Sequence, residues 1–460
     1  MYGKLMRPEL VELIGNKNFA TIKELFAEMH PSEIADLISD IDDDTLKLIL
    51  FRLLTQDIAS DTFTYFESEE QHDLLKMMGR EESGVILNEM FADDRTKLLE
   101  DLPANVVREL IAQLSPAERL IAVNLLNYPD DSVGRLMTSE YIAIIEDMTV
   151  IECLHYIREH GRDSETMNML YVVDSNGVLI DDIRIRDLLL SPLNRTIHDI
   201  RDDQFIALEA NQPQEEALKR FKQYDRFALP VVDSQGKLVG IVTSDDVLDV
   251  SEEEATEDIH KLGGMEALED SYLNTPILEM IKKRGGWLVI LFLSEMLTAT
   301  AMAHFDTQLQ KAVVLSFFIP LIMSSGGNSG SQAASLMVRA LAVGDVELQD
   351  WWQVFKREII SGLVLGLMLG GLGMLRIVLW SIASPIYGEH YVLLGLTVGI
   401  SLVGIVLWGT INGSMLPFLM QKLGFDPASS SAPFVATMVD VTGIVIYFTV
   451  ATLILTGTIL

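Results

Sequence analysis

The 460-residue chain has almost no cysteine and few basic residues. A single cysteine, Cys153, excludes an intrachain disulfide and a thiolate metal cluster, and the 8 histidines show no ligand spacing. The 34 Lys and Arg are outnumbered by 67 Asp and Glu, which gives a formal net charge of −33. Such a chain repels nucleic acid and attracts cations, so we expect no nucleic-acid partner.

Two further absences narrow the function. The N-terminus has no long apolar run, so we expect no cleavable signal peptide. No G-x-x-x-x-G-K-[ST] loop is present, which argues against an ATP-driven P-loop pump. We expect that the protein is not an enzyme.

The charge is distributed unevenly along the chain. The part from Gly285 onward holds only 9 of the 67 acidic and 6 of the 34 basic residues. This pattern predicts an acidic soluble part followed by an apolar membrane part.

Five apolar segments after Arg284 are long enough to span a membrane as helices. They cover the ranges Trp287–Ala303, Ala312–Leu341, Ile359–Ile382, Val392–Met420 and Phe434–Leu455. Basic residues cluster in the loops on one side, namely Lys282, Lys283, Arg284, Arg339, Lys356, Arg357 and Lys422. The positive-inside rule then predicts that the N-terminal part is cytosolic and the C-terminus outside. We expect a multi-pass protein of the plasma (inner) membrane, in contact with lipid.

Two acidic residues fall inside apolar segments. Asp440 lies in TMVDVTGIVIYF, and Glu295 lies in the first segment. A carboxylate in hydrocarbon costs at least about 2.5 kcal/mol, so it must face a partner, water or an ion. An ordinary hydrogen bond between helices is the alternative interpretation.

The second segment, PLIMSSGGNSGSQAASLMVRAL, is rich in residues that interrupt helices. Pro320, Gly326, Gly327 and Gly330 predict a broken backbone, which is tolerated at membrane depth only inside protein or along a watery cavity. Exposed carbonyl oxygens would suit a hard, partly hydrated cation such as Mg²⁺. In the third segment, the small-xxx-small spacing of Gly362, Gly366 and Gly370 predicts helix packing instead.

A repeat at a spacing of 59 residues marks the soluble part. LYVVDSNGVLIDDIRIRDLL and LPVVDSQGKLVGIVTSDDVL each predict a strand, an Asp-x-x-Gly turn, a second strand and a helix. Amphipathic helices at Thr149–His160 and Pro213–Tyr224 precede them. The layout closely resembles paired cystathionine-β-synthase (CBS) domains, which are ligand sensors and not enzymes. The resemblance implies a cleft for ATP or another adenine nucleotide, with Arg186, Thr243 and Asp246 as candidates.

Short amphipathic helices fill about 130 residues before the repeat, and an acidic linker follows it. HPSEIADLI, FESEEQHDLL, FADDRTKLL and LSPAERLIAVNLL each begin with a cap-like residue, which predicts a small helical superhelix. The linker is predicted to be helical from about Ser251 to His260 and again before Lys282, and it carries Glu252, Glu253, Glu254, Glu257 and Asp258. Five acids in seven positions exceed what compensation of a helix dipole requires.

The ordered set resembles the MgtE family of magnesium channels and transporters over nearly its full length. The carrying motifs are GGNSGSQ at Gly326–Gln332, ATMVDVTG at Ala436–Gly443, MLPFL at Met415–Leu419 and ATEDIHKLG at Ala255–Gly263. The resemblance implies a multidomain membrane protein. Its parts are an α-helical superhelix at 1–130, α+β tandem CBS domains at 131–197 and 198–252, a long linker (plug) helix at 253–284 and a five-helix transmembrane domain at 285–460.

The resemblance also implies a homodimer whose ion path lies along the two-fold axis. The pore residues would be Asp440, Ala436, Asn328, Gly327 and Gly326. Cytosolic Mg²⁺ would close the pore by binding Asp61, Asp93, Glu215, Asp225, Asp246, Asp249, Glu254, Glu257, Asp258 and Asp426. Pro213 stands where some relatives have an acidic residue, so one of these sites is expected to be altered.

Together these features predict a Mg²⁺ channel or transporter that works passively and is closed by cytosolic Mg²⁺. The physical logic is a shift of population, because the ion must bind the closed state better than the open one. Two alternatives stay open: a CBS-regulated channel or transporter for another ion, and a Mg²⁺ sensor that transports nothing. Ion flux through the purified protein would separate them.

Overall fold

The computed structural model describes residues 2–268, 272–273 and 275–459 of the chain. It divides into two compact units, Met1–Ser251 and Glu252–Leu460.

The first unit begins with short α-helices. They are α1 Tyr2–Gly15, α2 Phe19–Glu28, α3 Pro31–Ser39, α4 Asp44–Phe51, α5 Gln56–Thr64, α6 Ser68–Met77, α7 Arg80–Glu89, α8 Ala92–Glu100, α9 Ala104–Ile111 and α10 Pro116–Leu125.

Local caps explain why these short helices begin where they do. Pro31 stands in the first turn of α3 behind a capping box formed by His30 and Glu33, and Ser115 caps α10. Helix α3 packs on α1 and α5, and α5 packs on α7, so successive helices stack around one apolar core. A helix of about ten residues is marginal alone and depends on such packing. The predicted superhelix is confirmed.

The rest of the first unit consists of two similar halves. The first holds α11 Val133–Leu136, β1 Ala143–Ile145, α12 Val150–His160, β2 Met169–Val173, β3 Leu179–Arg184 and α13 Ile185–Leu190. The second holds β4 Leu208–Glu209, α14 Gln214–Tyr224, β5 Ala228–Val232, β6 Leu238–Thr243 and the start of α15 Ser244–Leu262.

Each half contains a three-stranded sheet of the same topology. The strand orders are β1-β2-β3 and β4-β5-β6, with the first pair parallel and the second antiparallel. The turns after β2 and β5 are alike, because Asp174 and Asp233 accept from backbone N–H groups and Gly177 and Gly236 have φ of 80° and 78°. The predicted tandem of α+β CBS domains is confirmed.

The linker has two helical parts, as its sequence predicted, and not the single long helix over 253–284 that the resemblance implied. Helix α15 starts earlier, at Ser244, and ends at Leu262. Gly264 has φ of 73°, and the N–H of Met265 donates to the carbonyl of His260, which closes the helix end. The next helix begins at Ile277 and continues into the membrane segment. The two glycines at 263 and 264 are the physical reason for the interruption.

The second unit holds the long apolar helices. They are α16 Ile277–His304, α18 Ile319–Ala342, α19 Trp351–Ala383, α20 Tyr391–Lys422 and α21 Ala432–Leu455, with a short α17 Asp306–Lys311 between the first two. Within the described residues, five helices are long and apolar enough to cross a membrane, as predicted. Helix α20 packs against α18, α19 and α21, and α16 packs against α21.

The prediction that glycines break the second membrane segment is wrong. A 3₁₀ turn, Val313–Phe318, precedes Pro320, but the chain from Ile319 to Ala342 is one α-helix through all three glycines. A Cβ on Gly330 would lie 2.8 Å from Val435 Cγ1 and 3.1 Å from the Gly409 carbonyl oxygen. Lipid cannot satisfy free backbone groups, so the helix stays intact and its glycines let neighbouring helices approach.

The glycine stripe of the third segment also packs, as predicted. Gly362, Gly366 and Gly370 of α19 face α20. A Cβ at these positions would lie 2.2 Å from Thr410 Oγ1, 2.8 Å from Val403 Cα and 2.5 Å from the Gly399 oxygen. These contacts leave no room for a side chain.

Candidate functional site

The second unit, called the membrane unit from here on, brings three of the predicted pore residues together. Gly327 of α18 faces α21, where a Cβ would lie 3.4 Å from Ala436 Cβ and 4.0 Å from Asp440 Oδ1. Asp440 and Ala436 lie one turn apart on α21, so they share a face. Ser331 Oγ donates to the Ala432 carbonyl at 3.1 Å and joins the same two helices nearby.

The other two predicted pore residues occupy different positions. Gly326 is buried, with its Cα facing Ile405 and Val439 and its carbonyl oxygen against Gly409, so it contacts α20. Asn328 is exposed on α18 and donates to Ser324 Oγ at 3.4 Å. Gly326 thus takes a packing position, whereas Asn328 presents a polar side chain at membrane depth.

Asp440 is half-exposed, and its only electrostatic neighbour in the described residues is another acid. Glu295 of α16 lies close enough to repel it. No hydrogen bond from the described part of the chain reaches its carboxylate. The alternative interpretation of Asp440 as a partner in an interhelical hydrogen bond therefore finds no donor among these residues.

The end of the linker helix forms a second site within the membrane unit. Lys261 Nζ lies 2.6 Å from Glu257 Oε1 and 2.6 Å from Asp426 Oδ2. The other oxygen of Asp426 accepts from the N–H of Ala428 at 2.8 Å in the loop between α20 and α21. Asp426, which the resemblance assigns to the cytosolic Mg²⁺ sites, thus meets the linker helix through a lysine that the sequence reasoning had not singled out.

Burial and neighbouring charges shift the pKa values of Asp258 and Lys261. Burial raises the pKa of Asp258, and Asp426 and Glu257 add to the effect while Lys261 and Arg339 oppose it. Burial alone would lower the pKa of Lys261, but its hydrogen bonds to Asp426 and Glu257 outweigh this and raise it to about 12. Lys261 is therefore a fixed cation among three carboxyl groups.

A cluster of acidic residues lies in the first unit, called the soluble unit from here on, between the superhelix and the CBS pair. Asp93 and Asp94 begin α8, Asp245 and Asp246 begin α15, and Glu165 follows α12. Thr243 Oγ1 donates to Asp246 Oδ2 at 2.5 Å. Asp93 is 8% exposed, and Glu165 Oε2 is buried without a hydrogen-bond partner in the described residues.

Burial and mutual repulsion make these acids hard to ionise. Burial raises the pKa of Asp93 well above its ordinary range, with further repulsion from Asp246, Asp94 and Glu165. The same causes raise the pKa of Asp94 to about 6, of Asp246 to about 7 and of Glu165 to about 8. A cation entering this cluster would relieve the repulsion.

The remaining sensor candidates are more dispersed. Asp61 lies on α5 near Asp94, and partial burial together with Asp57 raises its pKa. Asp249 pairs with Lys97 at 3.4 Å. Glu215 is exposed in the first turn of α14, and Asp225 caps that helix with φ of 49°. Glu254 lies on α15. No three acidic or histidine side chains of the described residues already form a metal-binding arrangement.

The nucleotide candidates are not joined in the described residues. Thr243 ends β6, is buried and donates to Asp246. Arg186 is exposed at the start of α13 and pairs with Asp187 at 3.4 Å. An incoming nucleotide would have to bridge the two.

Sequence reasoning missed Asp94, Glu165, Asp245 and Lys261. Asp94 and Asp245 each adjoin a residue that was named, so their position in the chain was an available signal. Glu165 meets the other acids only through the fold. Lys261 lies four residues after Glu257 on one helix, which was an available signal, but its contact with Asp426 arises only through the fold.

Comparison with known proteins places these features in one family. Family models match residues 319–450 as a divalent cation transporter, 29–131 as the MgtE intracellular N domain, and 133–193 and 197–253 as CBS domains. The chain is 37% identical to magnesium transporter MgtE of Thermus thermophilus over 450 residues, covering 97% of this chain and 98% of that one. Identity to magnesium transporter MgtE of Bacillus subtilis is 28%, covering 96% of each chain.

Two solved structures resemble the soluble part. The crystal structure of the cytosolic domain of the Mg²⁺ channel MgtE in complex with ATP matches with a TM-score of 0.50 and 32% identity, covering 52% of this chain and 98% of that one. The crystal structure of the soluble part of a magnesium transporter matches with a TM-score of 0.52 and 28% identity, covering 55% and 99%.

Five membrane helices, a CBS pair and an intramembrane carboxylate define a multi-pass membrane protein of the divalent cation transporter class. The full-length match to the Thermus thermophilus protein narrows this class: the chain belongs to the MgtE family of magnesium transporters.

Proposed function

We propose that this protein conducts Mg²⁺ passively across the plasma (inner) membrane along a path that includes Asp440. The carrying observation is the state of that residue. It is a half-exposed carboxylate on a membrane helix, beside Gly327 and Ala436, with no hydrogen-bond donor among the described residues. A charge at this depth requires a compensating partner, and a transported cation supplies one.

The neighbouring groups suit a hard cation. Carboxylate and amide oxygens from Asp440 and Asn328 are the ligand type that Mg²⁺ takes, and its retained waters bridge wider gaps. The nearby Glu295 adds negative charge, which disfavours an anion path.

Flux of Mg²⁺ into liposomes carrying the purified protein tests the proposal. We expect Asp440→Asn to remove most of the flux, and Asp345→Asn, in the loop after α18, to leave it unchanged. Undiminished flux in Asp440→Asn would rule out this path. Absence of flux in the unaltered protein would favour a sensor that transports nothing.

We further propose that the protein is a homodimer. Ser324, Ser325 and Asn328 of α18 are polar and at least partly exposed at membrane depth, and their bonds within the helix leave polar atoms that lipid cannot satisfy. A second copy facing this side would enclose them around a watery path. Disulfide cross-linking of Asn328→Cys in native membranes tests this. A dimer should form a disulfide-linked pair of chains, and a monomer should not.

We propose that cytosolic Mg²⁺ closes the path by binding the acidic clusters. Supporting observations are the raised pKa values of Asp93, Asp94, Asp246 and Asp258, which burial causes first and repulsion from neighbouring carboxyl groups increases. Divalent ions binding there would favour a compact, closed state. The orientation that this requires, with the acidic unit inside, follows from the basic loops.

Inhibition of flux by Mg²⁺ on the side of the soluble unit tests the regulation. Neutralising Glu257 and Asp258 together should raise the Mg²⁺ concentration needed for inhibition, whereas Glu159→Gln, an exposed acid on α12, should not. Inhibition that persists unchanged in the double variant would contradict the proposed role of the linker.

We also propose that ATP or another adenine nucleotide binds the CBS cleft. The supporting observations are the ATP complex of a relative's cytosolic domain and the placement of Thr243 beside Asp246. Calorimetric titration of the full chain with ATP should show binding that Arg186→Ala weakens and Arg162→Ala does not.

A further inference from the structure

A lysine side chain lies where the linker helix α15 meets the loop between α20 and α21. Lys261, in the last turn of α15, is shared by Glu257 of its own helix and Asp426 of the loop between α20 and α21. Both contacts measure 2.6 Å, and the lysine side chain is only 27% exposed. Asp426 is itself held, since its second oxygen caps the turn at Ala428.

An apolar contact fixes the same helix end. Gly264, which terminates the helix, packs against Trp287 of α16, and a Cβ there would lie 2.8 Å from Trp287 Cδ1 and 3.3 Å from Pro433 Cγ. Trp287 in turn stacks on Phe434 with ring centroids 6.5 Å apart. Lys261 therefore acts on a helix end that is already packed against Trp287 and Pro433.

The charge balance gives Lys261 its effect. Three acids meet here, Glu257, Asp258 and Asp426, and Lys261 and Arg339 both oppose the raised pKa of Asp258. Without Lys261, Glu257 and Asp426 would face each other without a cation between them. A divalent ion would satisfy the same oxygens, so lysine and ion are alternative partners for them.

We propose that Lys261 is a positioning residue that keeps the linker helix seated on the α20–α21 loop in the absence of divalent cation. It supplies part of the attraction that a regulatory divalent ion supplies when bound. This inference rests on the proposed function, because it assumes that seating of the linker helix matters for ion flux.

Spin labels on the full chain in lipid vesicles measure the seating directly. The labels are placed at Ile259→Cys and Leu423→Cys, two exposed positions on the helix and after α20, in a Cys153→Ser background. In EDTA, Lys261→Met should lower the ratio of seated to unseated helix about three- to tenfold, the scale expected for losing two partly exposed ion pairs. Lys261→Arg, which keeps the cation, should retain the ratio, and excess Mg²⁺ should restore it in Lys261→Met.

Lys76→Met is the matched control, since it removes an equal charge from an exposed pair with Asp73. An unchanged ratio in Lys261→Met, or an equal loss in Lys261→Arg, would overturn the proposal. Mg²⁺ flux is measured on the same vesicles. Distances that respond to Lys261 without any Mg²⁺ flux would leave the seating role intact and refute the proposed function. Flux with unresponsive distances would refute the seating role alone.

Discussion

Removing the charge of Glu165 should stabilise the soluble unit when divalent cations are absent. Asp246, Asp94 and Asp245 repel the charged form of Glu165. Its Oε2 is buried without a hydrogen-bond partner in the described residues. Glu165→Gln keeps the shape of the side chain and deletes the repulsion. A substitution of a partly buried side chain usually destabilises, so the expected sign is unusual.

The pKa of Glu165 sets the size of the effect. Raising it from 4.5 to about 8 corresponds to about 4 to 5 kcal/mol between charged and neutral forms. Water reaches this partly exposed group and screens it, so we expect roughly 1 to 2 kcal/mol at pH 8. The folded state binds the extra proton between about pH 4.5 and 8, so stability falls as pH rises through this interval, and the gain from Glu165→Gln disappears near pH 5.

Urea unfolding of the fragment 1–262 in EDTA, at pH 5 and pH 8, measures both quantities. Glu159→Gln, an exposed acid on α12, serves as the control and should change neither midpoint. Saturating Mg²⁺ should shrink the gain at pH 8, because the ion relieves the same repulsion. A Glu165→Gln variant that is less stable than the unaltered fragment at pH 8 in EDTA would refute the reasoning.

Three further predictions concern packing and burial. Gly370→Ala should destabilise the detergent-solubilised protein by about 1 to 3 kcal/mol, because its Cβ would meet the Gly399 backbone oxygen at 2.5 Å; the adjacent Gly371→Ala, with nothing within 4 Å, should be neutral in the same unfolding assay. Arg95→Met should cost the fragment 1–262 about 3 to 5 kcal/mol in urea unfolding, because the fully buried guanidinium serves two carbonyls and Glu118; a loss under about 1 kcal/mol would contradict this. Cys153 should react with a thiol reagent at pH 8 only after unfolding, because burial raises its pKa to about 11.

Local patterns predicted most of the architecture. Apolar length fixed the five spans to within a few residues at most of their ends, and the fifth was expected at Phe434–Leu455 and found at Ala432–Leu455. The repeat reappears in the strands, since Met169–Val173 and Ala228–Val232 are equivalent. Both patterns reflect periodicity and turn chemistry, which act over short stretches of chain.

Glycine was the residue whose meaning depended on its surroundings. The same residue type that ends α15 at Gly264 lies within an intact helix at Gly330. Both glycines are closely packed, but Gly264 has a φ of 73° against Trp287, whereas Gly330 keeps the helical backbone against Val435 and Gly409. Composition alone cannot distinguish these cases, because the distinction lies in the neighbouring helices.

The candidate site residues also differ in whether the sequence alone could identify them. Asp440 was identifiable as a lone acid in an apolar run, and Asp426 was named through the family resemblance. Burial and then repulsion from Asp246 and Asp94 raise the pKa of Glu165, and both acids are far away in the chain. Lys261 became a candidate only when its contact with Asp426, 165 residues away, was visible.

The reversal potential of the current through the purified protein in a planar bilayer tests the central claim most directly. A tenfold Mg²⁺ gradient stores about 1.4 kcal/mol, and moving two charges through 100 mV changes the energy by about 4.6 kcal/mol. A passive Mg²⁺ path therefore predicts a shift of about 30 mV per tenfold gradient, with Asp440→Asn abolishing the current. No current, or a reversal potential that ignores the Mg²⁺ gradient, would contradict the account.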